Sequence, residues 1–544
     1  MHKAQSSPYS IKTLFITLLS ILCFSLAGFC QASEQAMQFD EGISLLLKKN
    51  FKEKESGIEN IATSGDKRAE AILQALLGGK LFRVKKDNTL VYARIAGSKA
   101  EISAVLSGET LGIVKKRKLR KISINNTLRG TIKASLARIS LSNSDPSVRE
   151  EAVYKLMTGL TRKSSILLAE LLQTEQNNDV REALKTAMAI VSLRNGDSEA
   201  RMLALNALDG NLNPSVRNEV TRLIAEEQDQ AILSKAESVL SSIDSRISFY
   251  GFVETLFFGL SLGSVLVLAA IGLAITFGVI GVINMAHGEL IMLGAYTTYV
   301  IQQMLPGSIG IALFISIPAA FVVSGLTGIL IERTVIRFLY GRPLETLLAT
   351  FGLSLILQQA VRSVFSPLNR SVASPAWMSG SIQINPILAL TTNRIVILVF
   401  SLLVFAGLYL ILKKSSIGLQ VRAVSQNRKM ARAMGIRASR VDALTFGLGS
   451  GIAGVAGVAL SQLTNVGPNL GQAYIIDSFM VVVFGGVGNL WGTLISGLSL
   501  GVANKFLEPW AGAVLAKILI LVFIILFIQK RPQGLFPQKG RTAG

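Results

Sequence analysis

Cysteine and histidine are nearly missing from this chain. Its two cysteines, Cys23 and Cys30, both fall within the first 32 residues, so the remainder has no thiol for a disulfide or a thiolate metal site. Its two histidines are His2 and His287, which leaves a single imidazole beyond the N-terminal segment and makes a histidine-based metal centre untenable. No G-x-x-x-x-G-K-[ST] phosphate loop occurs, so the chain does not hydrolyse ATP by that route. Neither a catalytic constellation nor a metal-binding one is visible. Acidic residues are also scarce, 34 against 55 Lys and Arg, giving a net charge of +21. In the second half the basic residues sit in short segments between apolar runs, with no aromatic-interleaved groove, and this argues against nucleic-acid binding.

What the sequence has is hydrophobicity, at 50% of residues, unevenly spread. Residues 1–32 carry Lys3 and Lys12, then an apolar stretch from Leu14 to Phe29, then Cys30-Gln31-Ala32. That is the layout of a secretory signal peptide, with an uncleaved anchor as the alternative; either sends the downstream residues across a membrane, into the bacterial periplasm. Residues 33–248 read as a periplasmic, mostly helical domain with a small β element. Asp87-Asn88 between Leu81–Val84 and Leu90–Ala93 signals a hairpin. Helix starts at Asp145-Pro146, Asn178-Asp179 and Asn213-Pro214 recur every 32 to 36 residues or so, a HEAT-like spacing that a helical bundle with recurring caps would also give.

Residues 249–544 read as an all-α polytopic membrane domain of about eight hydrophobic segments. These are 252–283, 285–301, 311–331, 347–365, 395–412, 443–463, 476–506 and 513–528. With the N-terminal domain outside, Arg333, Arg337 and Arg342, the basic run from Lys413 to Arg440, and Lys530-Arg531 all fall on the cytoplasmic side. The tail reaches that side if the seventh segment makes an even number of crossings, as a re-entrant pair broken at Gly485, Gly486 and Gly488 does; one tilted span, with the count different elsewhere, is the alternative. Small residues at four-residue spacing, Gly259/Gly263, Gly447/Gly451 and Gly497/Gly501, suit close helix packing. Candidate pathway residues are Asn284, His287, Glu289, Gln358, Gln359, Asp477 and Asn489, polar groups set in apolar surroundings. Glu289 serves either as a helix-start carboxylate or in a gate, and Gln358 and Gln359 either contact solute or join helices. Asn427 to Met434 forms a short helix ended by Gly435, available for docking a cytoplasmic partner.

The run from Gly281 to Leu290, with Met292-Leu293-Gly294-Ala295-Tyr296, Arg422-Ala423, Met434-Gly435-Ile436 and the break at Gly485-Gly486-x-Gly488, resembles the branched-chain amino acid-type permeases of ABC importers. Within that family, the signal peptide and long extracytoplasmic extension resemble urea transporter permeases. The resemblance implies an inner-membrane, non-enzymatic pathway subunit that works by alternating access. Its expected partners are a second permease subunit, two cytoplasmic ATPases and a periplasmic solute-binding protein, and ATP is used by the ATPases alone. Arg422, Lys429, Ala431, Ala433, Gly435 and Ile436 fall in the segment expected to couple to an ATPase, although Lys429 and Met430 depart from the family's Glu-Ala opening. The resemblance implies urea as solute, with branched-chain amino acids or short amides as the alternative. A passive channel and a membrane-anchored periplasmic scaffold are competing classes.

Overall fold

The computed structural model describes residues 37–97, 99–105, 108–157, 160 and 162–537. The expected signal peptide at 1–32 lies outside them. The chain divides into two compact units, Met1–Ile243 and Asp244–Gly544.

In the first unit, helices α1 (residues 37–46), α2 (Phe51–Thr63) and α3 (Ala69–Leu77) precede five strands: β1 (Leu81–Val84), β2 (Leu90–Ala96), β3 (Lys99–Ala104), β4 (Thr110–Lys115) and β5 (Leu119–Lys121). The antiparallel sheet has order β4-β3-β2-β1-β5. Alternation along the strands separates two apolar sets. Leu81 and Leu90 join Phe39, Ile58, Ile72 and Ile132 in a core with the helices, while Phe82, Val91, Ala100 and Ile102 cluster on the other face. The β1–β2 hairpin turns at Asn88, whose φ is 59°.

Helices α4 (Asn126–Leu141), α5 (Pro146–Met157), α6 (Arg162–Thr174), α7 (Asn178–Asn195), α8 (Ser198–Leu208) and α9 (Pro214–Glu226) come next. α7 is capped by Asn177, one residue before the expected start, and α9 by Asn213. The contacts themselves repeat with a longer period than the 32–36 residues of the helix starts. Arg149 pairs with Glu175 and Arg201 with Glu227, both at 2.7–2.8 Å. Glu175 also accepts from the backbone N–H groups of Gln176 and Asn177, as Glu227 does from Gln228 and Asp229. Each member of the second set lies 52 residues after its counterpart in the first. Helix-start chemistry alone marks every capped helix and so reports the shorter spacing.

The division between units falls inside α10 (Gln230–Ile280). The second unit continues with α11 (His287–Met304), α12 (Ile309–Thr334), α13 (Pro343–Phe365), a two-stranded ribbon of β6 (Ser381–Gln383) and β7 (Ala389–Thr391), α14 (Thr392–Lys414), α15 (Ser416–Gln426), α16 (Arg428–Ala433), α17 (Ala438–Ser461), α18 (Leu470–Gly485), α19 (Leu490–Ala511) and α20 (Ala513–Lys530). Among the described residues six helices are long and apolar enough to cross a membrane: α10, α12 with the turn after it, α13, α14, α17 and α20. The other two of the eight expected segments are α11, which opens on His287 and Glu289, and the α18/α19 pair, interrupted between Gly485 and Leu490. The first segment stops at Ile280, three residues short of the expected end, because Gly281 leaves the helix with φ 74°.

Burial sorts these helices. The apolar windows of α10 and α17 are 83% and 89% buried, whereas those of α13, α14 and α20 are only 28%, 22% and 17% buried. The first two form the centre, and the exposed apolar faces of the others require lipid or another subunit, since water would not tolerate patches of that extent. Glycine makes the central approach possible. A Cβ at Gly501 would collide with the backbone of Gly263, and one at Gly272 with the carbonyl of Gly449.

Candidate functional site

Three polar assemblies stand out in the second unit, each held in place by local rules. The first is buried between α10, α11 and α13. On α13, Thr346, Thr350, Ser354 and Gln358 recur every fourth residue and form a polar stripe on its buried face. Thr350 Oγ1 accepts from the Met285 N–H at 3.1 Å. Ser354 Oγ and Gln358 Nε2 both donate to Glu289 Oε1, at 2.9 and 2.8 Å, while Glu289 Oε2 is buried with no partner among the described residues. Asn284 Oδ1 accepts from the Ala286 N–H, closing the turn before α11. His287 Nε2 lies 2.8 Å from the Ala269 carbonyl oxygen, in the last quarter of α10. Gln359, one residue from Gln358, points outward and takes no part.

The second assembly is a cavity of about 340 Å³ where the start of α14, α18 and α20 meets the end of α17 and α19. Asp477 lines it, together with Arg394, Lys505, Glu508 and Lys517, so both signs of charge face one space. Lys517 Nζ lies 3.1 Å from Asp477 Oδ2, and Lys505 Nζ 2.6 Å from Glu508 Oε2. The Arg394 guanidinium sits 4.9 Å over the Phe258 ring. Of these groups, sequence reasoning singles out only Asp477. Lys517 lies five residues into an apolar helix, and that misplaced charge is the signal available for the rest.

The third assembly joins the helix break to the basic loop. α18 ends at Gly485, Gly486 (φ 102°) and Gly488 (φ 83°) turn the chain, and Asn489 caps α19 by accepting from the Gly492 N–H. The same Asn489 donates through Nδ2 to the Phe536 carbonyl, and Leu535 and Phe536 N–H groups donate to the carbonyls of Phe484 and Gly485. The tail thereby satisfies backbone groups that the break leaves open. Beside it lies a cavity of about 830 Å³ lined by Gly278, Tyr409, Arg422, Gly488, Asn489 and Trp491 among others. The two cavities touch α10 at residues 261–266 and 274–279, with the buried run Val267–Leu273 and the His287 contact between them. That layer is on the order of 12 Å thick at the helical rise per residue.

α16 forms as the sequence predicts. Asn427 Oδ1 accepts from Met430 N–H, and at the far end Ile436 N–H reaches back to Ala431 O around Gly435, whose φ is 85°. Ala431 packs with Val421, Val424 and Val441, while Lys429, Met430, Arg432, Ala433 and Met434 face outward. Arg428 fixes the base of this helix by pairing with the buried Asp442 and lying 4.8 Å over the Tyr340 ring; Tyr340 in turn donates to Glu332 at 2.8 Å. Arg422 donates to the Leu412 carbonyl at the end of α14.

A family model described as branched-chain amino acid transport system / permease component matches residues 255–528. The high-affinity branched-chain amino acid transport system permease protein BraD of Pseudomonas aeruginosa is 32% identical over 297 residues, covering 53% of this chain and 96% of that protein. The corresponding protein LivH of Escherichia coli K12 is 32% identical over 298 residues, with the same coverage. The ribose import permease protein RbsC of Escherichia coli K12 is 26% identical over 282 residues, covering 50% of this chain and 83% of that protein. No solved structure gives a significant match. Residues before 255 lie outside the family match.

Proposed function

The chain belongs to the family of branched-chain amino acid transport system permease components, and from that premise we propose that it forms part of the membrane pathway of an ATP-driven importer. Its solute on this reading is a branched-chain amino acid. The observation that carries the choice is the cavity around Asp477. A zwitterion offers an ammonium and a carboxylate, and Asp477, Glu508, Arg394, Lys505 and Lys517 supply both complements around one space. Urea carries no charge and has no use for such a set. The names of the relatives point the same way.

A second reading, urea, is favoured by one feature: the N-terminal half has no counterpart in the amino-acid permeases above, which are matched over nearly their whole length. On either reading the barrier is the layer at Val267–Leu273 with His287, and transport opens first one cavity and then the other. Asn284, Glu289, Gln358, Asp477 and Asn489 line or brace that route, and Gln359 faces lipid or the second permease subunit. The membrane is the bacterial inner membrane, with the α16 side cytoplasmic and the Asp477 cavity on the periplasmic side, where a solute-binding protein delivers. Two ATPases dock on the outward face of α16. Uptake of labelled leucine at low concentration, in cells lacking this gene and cells re-expressing it, tests the solute. Loss and restoration of leucine uptake is the expected result; unchanged leucine uptake with lost urea uptake transfers the assignment to urea.

A further inference from the structure

A separate cavity of about 210 Å³ lies wholly within the N-terminal unit. Its wall combines the chain around the end of α1, the first turn of α2, and the antiparallel pair β1 and β5 with the residues just after β5. Six of its ten lining residues are basic, namely Lys48, Lys49, Lys54, Arg83, Arg120 and Lys121, and none is acidic.

Two features of this cluster are costly as they stand. Arg83 and Arg120 are direct cross-strand partners, and like charges in that position destabilise a sheet. Lys54 is 5% exposed, and its Nζ donates to the Ser123 carbonyl at 2.8 Å and reaches Ser123 Oγ at 3.5 Å, with no carboxylate paired to it among the described residues. Burial, and then the charges of Arg83 and Arg120, push its ammonium below the ordinary lysine value. Among the described residues the side-chain partner of Arg83 is the neutral Asn88 Oδ1 at 3.3 Å. The same unit treats its other buried-edge arginines differently, giving Arg149, Arg194 and Arg201 a glutamate each. Lys48, Lys49, Arg120 and Lys121 also reach solvent, but a cavity lined by six cations and no acid favours a ligand that brings several negative oxygens.

We propose that this cavity is a binding site for a phosphate-type oxyanion, held by the paired guanidinium groups of Arg83 and Arg120 and the ammonium groups of Lys48, Lys49 and Lys54. Planar guanidinium forks bind two oxygens at once, and lysines supply point charges to the rest. One carboxylate would neutralise too little of this set; a doubly charged oxyanion with four oxygens fits it better. The source is either free phosphate or an esterified phosphate such as a lipid headgroup.

The test uses the full-length chain purified in detergent in phosphate-free buffer, titrated calorimetrically with inorganic phosphate and separately with glycerol 3-phosphate. Saturable binding of at least one is expected. Binding of inorganic phosphate alone assigns the free anion, and binding of both admits headgroups. The double variant Arg83→Gln/Arg120→Gln is expected to bind about tenfold more weakly or worse, the weight of a charge-assisted hydrogen bond. It is also expected to melt no lower than the parent without phosphate, because a like-charge contact is relieved. Should that variant misfold, Lys48→Gln/Lys49→Gln leaves the sheet untouched and is expected to weaken binding too. No saturable binding of either probe by the parent, or undiminished binding by both variants, overturns the proposal.

Discussion

At the scale of single residues, neighbouring positions carry different duties. Gln358 and Gln359 look alike in sequence, but helical geometry turns one to Glu289 and the other outward. Replacing Glu289 by Leu strands two buried donors, Ser354 Oγ and Gln358 Nε2, and should destabilise the purified chain by about 1–3 kcal/mol. Glu289→Gln keeps an acceptor and should melt close to the parent, so thermal denaturation of the two variants side by side checks the assignment. For transport, Asp477→Asn removes a negative group from the mixed-charge cavity. The leucine concentration for half-maximal uptake should rise about tenfold, the weight of one charge-assisted contact, with unchanged amounts of protein in the membrane.

At the scale of elements, much is legible in the sequence and the remainder has a common cause. The apolar segments, the hairpin at Asn88 and the short helix ended by Gly435 all rest on local chemistry that sequence carries: period, turn residue and stop residue. What sequence does not carry is contact between distant positions. The cavity that gathers Arg394, Lys517 and Asp477, and the tail closing the break at Gly485, join residues far apart along the chain. The 52-residue recurrence of Arg–Glu clamps is hidden for the same reason, because caps repeat at every helix while clamps repeat only where helices meet.

Gly435→Val tests the coupling element. A branched side chain at φ 85° should cost about 1–2 kcal/mol locally and abolish copurification of the ATPase while the chain still inserts. The clamps carry a pH signature. The Arg149 hydrogen bonds hold the Glu175 carboxyl below its ordinary value, and backbone N–H groups and Arg201 do so for Glu227. A depressed carboxyl stabilises the fold fully above its ordinary value and loses that contribution as pH falls through the folded value. The double variant Glu175→Gln/Glu227→Gln should therefore melt lower than the parent near neutrality, and the gap should close as pH drops below about 4.

At the scale of the whole molecule, a family-typical membrane half is joined to an N-terminal half outside the family match. Relatives matched over 96% of their length consist of little beyond the membrane half. A chain lacking residues 37–229 should accordingly still insert and bind its ATPases, and any loss of function there belongs to delivery or regulation. The anion site in the deleted half gives that role a chemistry to look for.

ATP-driven import is tested most directly by solute accumulation in proteoliposomes holding the complex that copurifies with this chain, with ATP supplied on the side of α16. Labelled leucine should accumulate above its outside concentration only when ATP and the solute-binding protein are both present, and the Gly435→Val chain should support none. Leucine equilibrating without ATP, at the same rate in parent and variant, would contradict this and mark the chain as a passive channel.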